Sequence, residues 1–237
     1  AETEAYFGRL NKAREFSQLA IDSAQHNGAR ETAATWRAAE AVTDAQFGNT
    51  KIAIQQARSA LALSSGPIVR ELAGSALAQA GDVVGAKSVA ERLNVDFPLN
   101  TVIQSYWLPV IHAEIELHSG RAEQAVEILQ SSTTVESAAT PTGNCLYPVY
   151  VRARAYLDAR DGAASVAEFQ KIIQNPGIVL NCPLGALAHL GIARAYAMTH
   201  DSTKSKAAYQ EFLTLWKDAD PDIPILKQAK AEYARLQ

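Results

Sequence analysis

"VRARAYLDARD" occupies Val151–Asp161 and "GIARAYAMTHD" occupies Gly191–Asp201. The tetrapeptide Ala-Arg-Ala-Tyr sits in both, at Ala153–Tyr156 and at Ala193–Tyr196, 40 residues on. Running this register outward places Asp161 on Asp201, Ser165 on Ser205 and Phe169 on Tyr209. From Ser205 a series of small residues steps back through Ser165, Ala125, Ala86, Ala53 and Ala13, at intervals of 40, 40, 39, 33 and 40. A second series lies twelve positions earlier, at Ala193, Ala153, Ala113, Gly74 and Ala41. Between the two series falls a turn, at Gly8, Gly48, Gly81, Gly120, Arg160 and His200.

A period of this length is the mark of an array of supersecondary units. Paired small residues on either side of a turn let two helices cross closely, where bulky side chains would hold them apart. Glycine or a polar residue ends the first helix, and the residue after it starts the second. Apolar residues recur at helical spacing in "NTKIAIQQARSALAL", "RAEQAVEILQ" and "SVAEFQKII", and no segment shows strand-like alternation. The chain is therefore expected to be all-α. Helix pairs are expected at 31–47 with 50–63, 67–80 with 82–95, 101–118 with 121–131, 146–159 with 162–174, and 184–199 with 202–217. A half repeat (about 1–28) precedes repeats at about 30–65, 66–98, 100–132, 145–176 and 183–219. A helix at about 222–237, opened by Pro221 and Pro224, would cap the apolar face of the last unit. "GIVL" (Gly177–Leu180) reads as a linker, and 132–145 as a surface excursion or a weak boundary within one array.

Composition narrows the function. The net charge of −3 gives no electrostatic case for nucleic acid. No apolar run approaches the roughly 20 residues of a membrane span, so no membrane insertion is expected. "AETEAYFG" begins in mid-pattern without an initiator Met, which suggests a piece of a longer protein. His112 with Glu116, and Glu114 with His118, are helical neighbours and read as exposed pairs rather than metal ligands. His189, seven residues after Cys182, lacks further ligands, so neither metal nor cofactor is expected. No Cys-His-Asn or Ser-His-Asp grouping is visible, and the chain is expected not to be an enzyme.

Cys145 and Cys182 fall just before the first helices of consecutive units. Adjacent helices sit near 10 Å apart, beyond the roughly 7 Å between Cα atoms that a disulfide spans, but loops can bend. Either a disulfide or two separate buried thiols fits the sequence.

Helix–turn–helix units with small residues at two fixed places, aromatics at Phe169 and Tyr209 and a proline after a second helix at Pro98 resemble tetratricopeptide repeats. The period departs from the usual value of about 34 except between Ala53 and Ala86. More narrowly, "LYPVYVRARAYL", "NCPLGALAHLGIARAYA" and "LTLWKDADPDIPILKQAKAEYARLQ" resemble the carboxy-terminal tetratricopeptide region attached to bacterial serine/threonine kinases, notably acidobacterial ones. The kinase motifs themselves are absent from this chain. The resemblance implies a right-handed superhelical solenoid whose first helices line a peptide-binding groove. Carried over, that groove holds Trp107, Val110, Glu114 and Leu117, then Tyr147, Tyr150, Arg154 and Leu157, then Leu187, Leu190, Arg194 and Met198. Arg154 and Arg194 would take acidic side chains or a chain terminus. The amino-terminal units offer only small residues there, such as Ala38, Val42 and Ser75, so the groove's strongest contacts are expected in the carboxy-terminal half. The implied function is a non-catalytic scaffold for a protein or peptide ligand, part of a signalling protein. The alternative is a spacer, or a homo-oligomer formed through an uncovered amino-terminal half repeat. A preceding span would place the region outside the cytoplasmic membrane; without one it is cytoplasmic.

Overall fold

Seven turns organise the chain. In the computed structural model, which describes residues 1–138 and 145–236, Gly8, Gly28, Gly48, Gly81 and Gly120 hold φ between 70° and 88°, and Arg160 and His200 hold 66° and 60°. Each follows the last turn of a helix. The next amide then reaches back five residues, as in Asn49 N to Asp44 O (2.8 Å), Asp82 N to Leu77 O (2.9 Å) and Asp161 N to Tyr156 O (2.9 Å). That bond, with a left-handed residue before it, closes a helix and turns the chain. After three of these turns an aspartate caps the next helix. Asp82, Asp161 and Asp201 accept from the amides of Gly85, Ala164 and Lys204 at 3.0–3.1 Å.

The left-handed conformation carries no steric cost for glycine and a cost of about 1–2 kcal/mol for other residues. Arg160→Gly and His200→Gly are each expected to raise stability by about 0.5–1 kcal/mol, after allowing for the looser unfolded chain. Urea denaturation checks this; a loss at either site would mean that the side chain there makes a contact worth more than the strain.

Every regular element among the described residues is a helix. They are α1 (Glu2–Tyr6), α2 (Leu10–His26), α3 (Arg30–Gln46), α4 (Thr50–Leu63), α5 (Pro67–Gln79), α6 (Val83–Asp96), α7 (Leu108–His118), α8 (Ala122–Gln130), α9 (Tyr147–Asp158), α10 (Gly162–Gln174), α11 (Pro176–Val179), α12 (Pro183–Met198), α13 (Ser202–Leu215) and α14 (Pro224–Ala234). Consecutive long helices pack as hairpins, α3 on α4, α5 on α6, α7 on α8, α9 on α10 and α12 on α13, and each first helix also meets the hairpin before it. A π-helical stretch, Ile103–Trp107, leads into α7. Pro109 lacks an N–H and its ring crowds the carbonyl four residues back, and the wider turn accommodates both. "GIVL" is mostly the short helix α11. Of the irregular stretch expected at 132–145, residues 139–144 lie outside the described residues.

The small residues sit where helices meet. Ala41, Ala113, Ala153 and Ala193 of one series, and Ala53, Ala86, Ala125, Ser165 and Ser205 of the other, are fully buried. The two serines join the series directly: Ser165 Oγ donates to Ala153 O and Ser205 Oγ to Ala193 O, each at 2.9 Å. At Gly191 a Cβ would lie 2.3–2.6 Å from the ring of Phe169, so the aromatic of one hairpin seats on the bare backbone of the next.

The two ends of the chain meet. α1 lies against α12. The Trp216 indole N–H donates to Tyr6 O (2.9 Å), the Asp220 amide to Gly8 O (3.0 Å) and the Ile225 amide to Phe47 O (3.2 Å). Phe47 also packs edge-on against Trp216, their ring centroids 5.0 Å apart. Of the amino-terminal half repeat expected to be uncovered, α1 lies against α12, while α2 keeps Phe16 and Leu19 exposed.

Two buried charged groups bear on stability. Arg152, 2% exposed, donates to Glu168 (2.6 and 3.0 Å), Glu136 (2.7 Å) and Leu129 O (3.3 Å). Glu71, 4% exposed, keeps Oε2 without a hydrogen-bond partner among the described residues, and burial pushes its carboxyl up to about 7. The unfolded chain releases that proton near its ordinary value of 4.5 and the folded chain holds it to about 7. Stability therefore falls as pH rises through this window, because the folded state binds the extra proton. Glu71→Gln is expected to be more stable at pH 8 by about 3 kcal/mol, with the difference gone below about pH 4. Parallel stability–pH profiles for the two proteins would show that the carboxylate is solvated.

Candidate functional site

The residues expected to line a groove divide into three groups. Trp107, Val110, Tyr150, Leu187 and Leu190 are core residues, at most 6% exposed, and Tyr147 is half-buried. Trp107 packs against Tyr106 and Tyr147. Leu187 and Leu190 lie on α12, the helix that α1 covers. Their place in an open groove is corrected, because packing of neighbouring helices buries these side chains. Ala38, Val42 and Ser75 are buried as well.

The second group is polar and already partnered. Arg154 forms an ion pair with Glu114, a 1% exposed carboxylate, and lies over the ring of Tyr150. Glu114 is therefore no exposed partner of His118, whose Nε2 instead meets Gln79 O at 2.8 Å. Arg194 grips Glu232 of α14 through two bonds, of 2.9 and 3.1 Å, and Tyr209 donates to the same carboxylate at 2.9 Å. Both arginines bind carboxylates, and both carboxylates belong to this chain.

The third group remains accessible. Leu117, Leu157, Arg194 and Met198, from three successive hairpins, border one open depression of about 450 Å³, with Asp158 and Arg160 at its rim.

A more enclosed cavity, of about 300 Å³, is built mainly by the amino-terminal half, where no site was expected. Its walls are mostly small or apolar: Ala5 of α1, Leu10, Ala13 and Ser17 of α2, Ala39 of α3, and Ile68 and Leu72 of α5. Cys145, Tyr147, Cys182 and Pro183, at the starts of α9 and α12, complete it. The structure joins the cysteines, with Cα atoms 5.8 Å apart, so the disulfide is part of the wall. Small side chains at close helix crossings leave this space, and closure of the chain roofs it.

The polar side of the cavity comes from α2 and α3. Arg14 is ion-paired with the fully buried Asp44, whose Oδ1 also accepts from Asn49 at 3.2 Å. Burial holds the Asp44 carboxyl above its usual range in spite of Arg14. Glu40 receives only a long hydrogen bond, 3.4 Å, from Gln56, which is itself held by Arg37 at 2.8 Å. Burial and the neighbouring Asp44 raise the Glu40 carboxyl too. Trp36, one turn before Glu40, is 41% exposed beside the space. Gln46 is buried with Oε1 unpartnered. The sequence does carry a trace of this site, since Trp36, Ala39, Glu40 and Thr43 fall on one helical face.

No helix of the described residues is long and apolar enough to cross a membrane. No family model matches this chain, and no curated protein matches it.

Proposed function

We propose that this chain is a non-catalytic interaction module, a solenoid of tetratricopeptide-like hairpins capped by α14, that binds a protein or peptide segment. The resemblance to kinase-attached regions extends this reading to the partner-binding part of a larger signalling protein. The observation that carries it is the open depression bordered by Leu117, Leu157, Arg194 and Met198, one or two residues from each of three hairpins. Repeat arrays bind through such surfaces because every unit offers the same face. With Arg154 and Arg194 already engaged to in-chain acids, apolar contacts to Leu157 and Met198 supply the main affinity and the rim charges Asp158 and Arg160 the register. An array of acidic, basic and neutral peptides, all with free carboxyl ends, tests this. A subset should be retained by the wild type and lost on Leu157→Asp or Met198→Asp. Retention unchanged in both variants, or no retention by the wild type, contradicts the reading.

Self-association is the second reading. It is favoured by Phe16 and Leu19, 40% and 60% exposed on α2. Light scattering separates the two: a monomer mass at every concentration excludes it.

A further inference from the structure

We propose that the enclosed amino-terminal cavity is a binding site for a small organic ammonium ion with an apolar or aromatic body, its cationic head held by Glu40 beside the Trp36 ring. This site is separate from the peptide-binding depression, and the inference stands without it.

Size comes first. At about 30 Å³ per water, the 300 Å³ cavity holds roughly ten waters, room for an organic molecule of comparable atom count. Its mostly aliphatic wall favours an apolar body.

The polar groups decide the head. Gln46 Oε1 and Asp44 Oδ2 are unpartnered acceptors against Arg14 Nε alone as an unpartnered donor, but all three atoms are closed off, which leaves the carboxylates as the polar groups of the wall that a head group can use. Arg14 has its counter-charge in Asp44, and Arg37 is turned to Gln56 and is not in the wall. Glu2 and Glu40 are thus the wall's carboxylates without a direct ion pair among the described residues, and Glu40 is the one beside Trp36. An ammonium brings three N–H donors and one positive charge to this arrangement. A carboxylate ligand would instead meet Glu40 at close range, and a neutral alcohol would leave that charge unpaired. Trp36 adds a ring face, the strongest of the aromatic partners for a cation.

The raised Glu40 carboxyl agrees with this arrangement: burial and the neighbouring Asp44 outweigh the more distant charges of Arg14 and Arg37, and a cation bound directly to Glu40 would lower it.

Calorimetric titration of the whole chain with four probes of one aromatic body tests the site: phenethylammonium, 2-phenylethanol, 3-phenylpropionate and L-phenylalanine. Phenethylammonium is expected to bind with Kd below about 1 mM and at least tenfold more tightly than the others. Glu40→Gln should weaken it about tenfold or more and leave 2-phenylethanol unchanged. Ala39→Leu, which fills the space, should abolish binding while the helical circular dichroism is retained. The proposal is overturned if phenylpropionate or phenylalanine binds as tightly as the amine, since Arg14 would then be the recognising group. It is equally overturned if no probe binds, or if Glu40→Gln binds the amine like the wild type.

Discussion

Arg152→Ala is expected to cost about 3–5 kcal/mol of folding stability, a large share of what a domain has to lose. The guanidinium is 2% exposed and links α9 to Glu168 of α10, to Glu136 and to the carbonyl of Leu129 at the end of α8. One side chain thereby joins two successive hairpins. Truncating it strands Glu168, which keeps only the half-exposed Lys171 at 2.6 Å, and leaves a void where the stem packed. The size of the effect comes from the charge left behind rather than from net attraction within the pair. The double variant Arg152→Met with Glu168→Leu, which removes both ends of that pair, is therefore expected to recover much of the loss. Guanidinium denaturation of the three proteins decides the matter. A single-variant loss under about 1 kcal/mol would mean that water reaches the cluster, and a double variant no better than the single would locate the cost in packing alone.

The second large effect lies in the disulfide. Cys145 and Cys182 close a loop with a sequence separation of 37, for which the chain-entropy model gives about 4 kcal/mol. The bond ties the start of α9 to the start of α12 and forms part of the cavity wall. Cys145→Ala with Cys182→Ala is expected to unfold at distinctly lower denaturant, and the wild type with reductant should approach it. Thiol titration of the unreduced, denatured protein should find no free thiol. Two free thiols, or equal stability with and without reductant, would remove the bond from the account.

Much of the helical architecture was legible in the sequence because it is local. The helices expected at 50–63 and 162–174 are Thr50–Leu63 and Gly162–Gln174. Their ends are written in single residues, Gly48 and Asp161, whose conformational and capping preferences do not depend on distant parts of the chain. The small-residue series was legible for the same reason. The groove was not. Leu187 and Leu190 carry the same inner-face pattern as Leu157 and Met198, and they are lost from the surface because α12 packs against α10 and α13. The cavity escaped notice by the converse route. Ala13, Ser17 and Ala39 look like packing residues, and only closure of the chain shows that part of the space beside them is unfilled. Arg154 and Arg194 were legible as carboxylate binders, while the identity of the carboxylates, Glu114 and Glu232, depended on which helices come together.

Closure of the chain on itself underlies the existence of the cavity. Residue-resolved hydrogen exchange at the Ile225 amide tests it most directly. Ile225 is the second residue of α14, where a helix offers its amide no internal partner. Its partner is Phe47 O, 3.2 Å away on the amino-terminal side of the molecule. A closed chain slows exchange there by about a hundredfold or more relative to an unstructured peptide, together with that of Asp220, whose partner is Gly8 O. Exchange of both amides at the unstructured rate, while the Lys227 amide bonded to Ile223 O within the same helix stays protected, would show that the ends are apart.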